Sequence, residues 1–193
     1  MSDWLHGVRV PPLRIAQLRA WSDMVRNASQ LEPMDPFPVL YFLEHSLPEA
    51  LPGFDFIIED HLPNDDEACA YPDGCNENPD GPFIKLTPTV YDGAWADRGR
   101  DRLTILHECG HVVLHRKVAI LHRGPKGADL KAFENSEWQA NQLAAELLMP
   151  PKSFVTGDSI ADYCSRMGVS REAAKLRARK LAERNEITEM NWL

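Results

Sequence analysis

Hydrophobic residues at helical spacing predict two helices near the amino end of the chain. In the longer one, from Leu13 to about Asn27, a pair of prolines marks the start and every third or fourth residue is apolar. Its apolar face comprises Ile15, Leu18, Trp21 and Val25. The shorter helix is expected around Val39 to Glu44, shortly after two further prolines.

Two short runs of apolar, β-prone residues predict a small sheet. They span Phe54 to Ile58 and Phe83 to Leu86, and the segment between them is polar from Asn64 to Gly81. Two Pro-Asp-Gly sequences in that segment are turn signals. We therefore expect a loop there, with Cys69 and Cys75 in it.

The carboxy-terminal residues have the pattern of a helix pair. Helices are predicted from Ile160 to Met167 and from Ser170 to about Arg184, joined at a glycine that lies close to a serine cap. Such a pair is typical of a helix-turn-helix, but two helices that only pack over the rest of the protein give the same pattern. The packing interpretation is favoured, because a short helix pair is unspecific.

Two histidines and a glutamate interrupt a largely apolar helix predicted from Leu103 to His115. His107 and His111 lie about 6 Å apart along such a helix and about 40° apart around it, so both imidazoles can reach one ion. Glu108 lies about 100° round the helix from the first histidine, where a carboxylate can take a proton from a metal-bound water. The pattern therefore predicts two zinc ligands and a general base.

The same five-residue motif also occurs by chance in amphipathic helices whose histidines are merely hydrogen-bonded. The neighbouring residues decide between the two interpretations. Apolar residues predominate on both sides of the motif, at 103–106 and 112–114, so the helix is predicted to be buried. Two imidazoles and a carboxylate in a buried helix need partners to offset their desolvation, which favours a metal.

A third ligand is expected from a second helix, within 134–150. At about 100° per residue, Glu137 shares a stripe with small and apolar residues that would pack inward, and it is the preferred ligand. Those residues are Ala140, Ala144 and Leu148. Glu146 falls about 180° from Glu137 and is expected to be a solvated surface charge. Glu134 lies nearer the helix start, where a carboxylate simply favours the positive end of the helix dipole, and is the weaker candidate.

The two helices together resemble the ImmA/IrrE family of zinc metallopeptidases. Its pattern joins a His-Glu-x-x-His helix to a downstream Glu-x-x-Ala-Asn helix that ends in Leu-Leu-Met-Pro, and the chain carries these as His107 to His111 and Glu137 to Pro150. The resemblance is strong over about 83–150, looser beyond it and weak before residue 54. It implies one Zn²⁺ ion per chain with Glu108 as the catalytic base. The implied ligands are His107, His111 and Glu137. Such ligands also accept Mn²⁺ and other divalent ions.

The resemblance also implies an α+β fold. We expect a compact zincin-like metallopeptidase core with a small antiparallel or mixed sheet, the two motif helices and a helical carboxy-terminal extension. At this length one domain is expected, 1–193. We divide it into an amino-terminal helical part (1–53), the sheet and zinc-site core (54–150) and a helix-turn-helix-like extension (151–193).

The sequence does not single out one side chain as the hydrogen-bond donor that stabilises the oxyanion of the transition state. Many single-zinc peptidases add a Tyr or His donor to the oxyanion, and three residues are available: Tyr91, His115 and His122. His115 lies about 12 Å along the helix from His107, so we expect it to support a ligand or to pack. The strand 83–86 is a candidate edge for an extended substrate, unless it is paired within the sheet.

Composition is that of an ordinary soluble globular protein, with 44% hydrophobic and 26% charged residues. No apolar run approaches the roughly 20 residues that cross a bilayer, and the amino terminus does not have the pattern of a signal peptide, so a cytoplasmic location is expected. The cysteines are expected to be reduced thiols. Cys109 lies about 200° round its helix from His107 and is expected to pack as a small apolar side chain.

Charge argues against a general nucleic-acid binder, because the net charge is −8 and phosphate neutralisation needs an excess of Lys and Arg. One region is locally basic, with Glu172 and Glu183 as its acidic residues. Its basic residues are Arg166, Arg171, Lys175, Arg177, Arg179, Lys180 and Arg184.

The sequence thus favours a zinc-dependent endopeptidase that hydrolyses a protein substrate. The family resemblance implies a cognate helix-turn-helix transcriptional repressor of a phage, mobile element or stress response as that substrate. A partner-binding regulator of a toxin–antitoxin-like or mobile-element system, with structural zinc, is the principal alternative. A DNA-binding regulator acting through 160–184 is the third. Nucleic acid is not expected as the main partner, and no membrane association is expected.

Overall fold

The computed structural model describes residues 7–62, 66–117, 130–188, 190 and 192. Helix α1 (Ile15–Ala28) comes first, and α2 (Val39–Tyr41) continues through a π-helical turn (Phe42–Ser46) into α3 (Leu47–Ala50). Three strands follow: β1 (Asp55–Ile58), β2 (Ala68–Tyr71) and β3 (Phe83–Leu86). The remaining helices are α4 (Pro88–Trp95), α5 (Gly99–Leu114), α6 (Ser136–Leu148), α7 (Ile160–Met167) and α8 (Arg171–Glu183). Short 3-10 turns flank α6, at Ala132–Glu134 and Pro151–Ser153.

The predicted α+β fold with a small mixed sheet is confirmed. Strand β3 is central, parallel to β1 and antiparallel to β2. Ile84 and Leu86 on β3 are completely buried beneath the helices. Because β3 is paired on both sides, it is not an edge, and pairing within the sheet is the correct interpretation of 83–86. Among the described strands β1 and β2 form the two edges, and β2 packs against α5.

Two elements were missed from the sequence. Strand β2 lies where a loop was expected, so Cys69 is on a strand and faces Lys85 in the register. Its run Ala-Cys-Ala-Tyr has little intrinsic strand character, and pairing with β3 together with contact to α5 stabilises it. Helix α4 begins with Pro88 directly after Thr87, which is a favourable helix start.

One cluster of buried hydrophobic side chains joins the elements. It includes residues from helices and sheet alike, among them Leu18, Ile84, Leu106, Leu147 and Tyr163. The boundaries proposed after residues 53 and 150 stay predictions. Among the described helices, none combines the length and apolar character that a membrane span needs.

Candidate metal centre

Helices α5 and α6 approach closely where Gly110 faces Ala140. A Cβ atom built on Gly110 would lie 3.1 Å from the Cα atom of Ala140 and 3.2 Å from its carbonyl oxygen. Glycine leaves this space empty, so the backbones of the two helices can come together. The close approach brings residues of the first turn of α6 to the polar face of α5.

The ligand atoms of the three residues predicted to bind zinc converge between these helices. Nε2 of His107 lies 3.1 Å from Nε2 of His111. The Glu137 carboxylate reaches both rings with different oxygens: Oε2 lies 3.1 Å from Nε2 of His107, and Oε1 lies 3.2 Å from Nε2 of His111. Among the described residues, these three form the group of His, Cys, Asp and Glu side chains that can share one ion.

The spacing of these atoms suits a zinc ion. Tetrahedral zinc with bonds of about 2.0–2.1 Å separates each pair of its ligand atoms by about 3.3–3.4 Å. The two imidazole nitrogens are 3.1 Å apart, close to that value, and each has one oxygen of Glu137 at a similar distance. Two imidazole nitrogens and a carboxylate oxygen are also a donor set that zinc accepts in catalytic sites.

The cap of α6 places Glu137 for this contact. Asn135 caps the helix, its side-chain oxygen accepting a hydrogen bond from the backbone N–H of Trp138 at 3.2 Å. Glu137 therefore lies in the first turn, where the positive end of the helix dipole favours a carboxylate.

The site favours positive charge. Burial opposes a charge on His107, but a hydrogen bond with Glu137 and the charges of Glu108 and Glu137 outweigh it and raise the pKa of His107. Burial also opposes ionisation of Glu137, yet its hydrogen bonds with His107 and His111 lower the pKa of this carboxyl well below its usual range. Two carboxylates thus stabilise a positive charge here, as a metal ion would provide.

Glu108 lies beside the three ligand atoms. Its Oε1 atom is 3.9 Å from Nε2 of His107, and its side chain is almost fully buried. Burial raises the pKa of Glu108, against the opposing effect of the two neighbouring histidines. A carboxylate with a raised pKa is a better proton acceptor than one in water, as a general base requires.

Behind His111, a hydrogen-bonded chain runs into the protein. Nδ1 of His111 lies 3.1 Å from Nδ1 of His115, and Nε2 of His115 lies 3.1 Å from Oε1 of Gln139. Burial, followed by the charge of His111, lowers the pKa of His115 to about 4. The structure therefore places His115 against His111, one of the residues predicted to bind zinc, where burial disfavours a charge on the His115 ring.

Tyr91 and His122 were the other candidate hydrogen-bond donors to the transition state. The Tyr91 hydroxyl donates to Oε1 of Glu44 at 2.7 Å, which ties α4 to the π-helical turn. His122 lies outside the described residues. Cys109 is buried in the core, where burial raises the pKa of its thiol, as expected of a side chain that only packs.

Glu146 is not the solvated surface charge that was expected. It is 1% exposed, because α1 and α8 cover the face of α6 opposite Glu137. Its carboxylate accepts two hydrogen bonds from Arg19, at 3.1 and 3.2 Å, and forms an ion pair with Arg177 at 2.7 Å. Glu134, the weaker ligand candidate, forms an ion pair with Arg9 at 3.5 Å.

Two residues beside the site were missed from the sequence. Gln139 is fully buried and hydrogen-bonded to His115, and the Asn141 side chain adjoins His107 and helps to raise its pKa. The sequence holds one signal for each. Gln139 lies two residues after Glu137 in the helix predicted to supply the third ligand, and Asn141 ends the Glu-x-x-Ala-Asn motif.

Comparison with known proteins gives one match. A sequence model of the family described as "IrrE N-terminal-like domain", Peptidase_M78, matches residues 73–179, slightly more than half of the chain. The matched range contains α5 and α6 with all four residues discussed above as ligands and base. A search of curated proteins finds no match.

Proposed function

The chain therefore belongs to the Peptidase_M78 family of IrrE N-terminal-like domains, and on that premise we propose that it is a zinc-dependent endopeptidase acting on a protein substrate. The resemblance noted in the sequence is confirmed by the match, and family membership supports a peptidase. One observation carries the proposal of a metal mechanism. The ligand atoms of His107, His111 and Glu137 converge beside the buried carboxylate of Glu108.

In the proposed mechanism, His107, His111 and Glu137 would hold the ion, and a bound zinc would lower the pKa of a water molecule and polarise the scissile carbonyl. Glu108 accepts the proton of the attacking water on its carboxylate and then delivers it to the amide nitrogen of the leaving group. Because burial raises the pKa of this carboxyl, Glu108 is suited to both transfers.

We propose β2 as the strand along which the substrate lies. It contacts α5, and within the described part of the chain it is an edge strand, with one side of its backbone unpaired in the sheet. An extended peptide that adds to a sheet edge gains main-chain hydrogen bonds with little sequence preference. Such binding suits an endopeptidase, whose specificity then comes from the partner protein as a whole.

We further propose that the substrate is a cognate helix-turn-helix repressor of a phage, mobile element or stress response. The proposal comes from the family resemblance. Cleavage would release the genes that the repressor controls. A repressor encoded next to this protein is the first substrate to test.

Two variants at the site separate the proposed roles. Purified wild type, Glu108→Gln and Glu137→Gln are incubated with the neighbouring repressor and zinc or manganese, and mass spectrometry identifies the products. We expect cleavage only by wild type, zinc binding by wild type and Glu108→Gln, and loss of zinc from Glu137→Gln. Glu134→Gln is the matched control, because that carboxylate pairs with Arg9 instead.

Each outcome bears on a separate part of the proposal. Cleavage that survives Glu108→Gln rejects this residue as the base, and zinc retained by Glu137→Gln rejects it as a ligand. If an unfolded test protein is cleaved and the repressor is not, the peptidase proposal stands and the substrate proposal is wrong. If neither is cleaved at any metal concentration, the enzymatic proposal is wrong.

The alternative functions have less support. A structural zinc site normally has four protein ligands, and the described residues bring three together here. Of the basic residues in 166–184, Arg177 is buried against Glu146, and Arg166 pairs with Asp158. The basic residues that remain exposed on α8 share its surface with Glu172 and Glu183, which favours packing over DNA binding.

A further inference from the structure

We propose that Asn141 binds the main chain of the substrate, on the edge of the peptide that faces away from β2. This role rests on the proposed peptidase function, in which Asn141 has no part so far. The residue lies on α6, four positions after Glu137, and its side chain adjoins His107.

Helix geometry places Asn141 beside the proposed ligands. Four residues advance an α-helix by about 6 Å and turn it by about 40°, so Asn141 shares one face of α6 with Glu137. It directly follows Ala140, where α5 and α6 come closest. Ala140 and Gln142 are buried, whereas Asn141 between them is exposed. The amide is therefore both close to the metal site and open to a ligand from solvent.

Strand β2 lies at another side of the same site. It packs against α5, and its residue Cys69 is close enough to Glu108 for their electrostatic interaction to matter. Burial is the main cause that raises the pKa of the Cys69 thiol, and the charge of Glu108 adds to it. The site thus has β2 near the proposed base and Asn141 near the ligand His107.

An extended peptide offers hydrogen-bonding groups on both of its edges. Residues whose N–H and C=O bond to a neighbouring strand alternate with residues whose groups point away from it. Groups that point away need another partner when the peptide leaves water. The asparagine amide has a donor end and an acceptor end, which match the C=O and N–H of one such residue. Asn141 would therefore bind the peptide without reading its side chains, as β2 does.

The position of Asn141 within α6 supports a role in binding. It is the sixth of 13 residues in the helix, and asparagine is among the poorer helix formers. Its short polar side chain competes with the backbone for hydrogen bonds, which alanine does not do. The helix itself gains nothing from this side chain, whereas a bound peptide would gain two hydrogen bonds.

Binding can be measured without catalysis in zinc-loaded Glu108→Gln protein. The probe is a fluorescein-labelled octapeptide that spans the bond cleaved by wild type in the repressor or in the unfolded test protein, and fluorescence anisotropy gives its Kd. Adding Asn141→Ala should raise Kd roughly 10-fold, as the loss of two hydrogen bonds predicts. Asn27→Ala, at an exposed position of α1, is the matched control and should leave Kd unchanged.

The peptide can also be altered to find the group that Asn141 binds. Replacing one backbone N–H at a time by an ester oxygen removes a single donor. We expect one position at which the ester weakens binding to Glu108→Gln but not to the Glu108→Gln, Asn141→Ala double variant. Esters at positions that bond to β2 should weaken binding to both proteins equally. If every ester affects both proteins alike, the proposal is wrong.

Two further measurements separate substrate binding from other roles. In otherwise wild-type protein, Asn141→Ala should raise KM roughly 10-fold with little change in kcat, because the contact is made equally in the bound substrate and in the transition state. A residue that merely supports a metal ligand would change zinc affinity by about 10–100-fold, measured by competition with a chromophoric chelator. Such a loss of zinc, or a fall in kcat with unchanged KM, overturns the proposal.

Failure of this proposal is distinct from failure of the peptidase function. If wild type cleaves its substrate and Asn141→Ala binds and cleaves it equally well, only the role of Asn141 is wrong. If wild type cleaves neither the repressor nor the unfolded protein, both proposals fail.

Discussion

Nη2 of Arg177 lies 2.7 Å from Oε2 of Glu146, and both side chains are almost fully buried. The pair joins α8 to the face of α6 that lies opposite the metal site. Arg19 of α1 binds the same carboxylate, and Nε of Arg177 donates to the carbonyl oxygen of Met149 at 3.1 Å. The carboxy-terminal helices are thus fastened to the core by a charged network.

Removing the carboxylate should destabilise the protein strongly. Glu146→Ala leaves the buried guanidinium of Arg177 without its counter-charge, for which a loss of about 3–5 kcal/mol in the free energy of unfolding is expected. Urea denaturation measures it. Glu183→Ala, at an exposed position on α8, should change stability by less than about 0.5 kcal/mol. A loss below about 1 kcal/mol in Glu146→Ala would contradict the assigned network.

A larger side chain at Gly110 should loosen the metal site. Gly110→Val forces atoms against Ala140, whose Cα lies 3.1 Å from the Cβ position, so we expect a loss of about 1–3 kcal/mol and weaker zinc binding. Gly110→Ala should have a smaller effect, because its better helix propensity offsets part of the clash. Thr104→Val puts the same side chain at a half-buried position of α5 and should leave zinc affinity unchanged. Unaltered zinc affinity in Gly110→Val would show that the close crossing is not needed.

Zinc should stabilise the folded state through the three converging side chains. At a free zinc concentration of 100 times Kd, binding adds about 2.7 kcal/mol, which thermal denaturation detects as a rise in Tm. A chelator should reverse the rise. Glu137→Gln should show little of it, and Glu134→Gln should behave as wild type. An equal rise in Glu137→Gln would place the bound zinc elsewhere.

Acid should remove the stabilisation that the ion pair between Lys85 and Glu77 gives to the folded protein. Lys85 on β3 donates to Glu77 at 2.7 Å, and this hydrogen bond, with a second from Cys75, lowers the pKa of Glu77 to about 2. Because the pKa is lower in the folded state, the contribution is present above the unfolded value of about 4.5 and is lost as pH falls through about 2. Glu77→Gln should be less stable than wild type at pH 7, with a difference that shrinks towards pH 2 in urea titrations. Asp80→Asn, at an exposed position nearby, is the control, and a pH-independent difference would contradict the assignment.

The sequence predicted those parts of the site that depend on periodicity within one helix. The four-residue spacing of His107 and His111 and the inward stripe of Glu137 need only the geometry of a single helix, and the structure brings these residues together. The error at Glu146 has a different origin. Helix geometry correctly places Glu146 on the face of α6 opposite Glu137, but the sequence does not reveal that α1 and α8 cover this face.

Contacts between segments that are distant in the sequence also could not be predicted from it. Gln139 acquires its orientation from the backbone at Pro11, which no local pattern relates to α6. Strand β2 was missed for the same reason, since it is stabilised by pairing with β3 more than by its own residues.

The chain before α1 lies along the segment that leads into α6. Val10 donates from its backbone to Glu134 at 2.9 Å, Leu13 donates to Phe133 at 2.9 Å, and Pro11 accepts from Gln139. The family match, by contrast, begins at residue 73 and ends at residue 179. A recombinant fragment cut to those limits would keep every proposed ligand, yet it would lose both partners of β3, the end of α8 and one of the two carbonyls that bind the Gln139 amide. The segment that matches the family and the segment whose contacts hold the proposed ligands in place are therefore different lengths of this polypeptide.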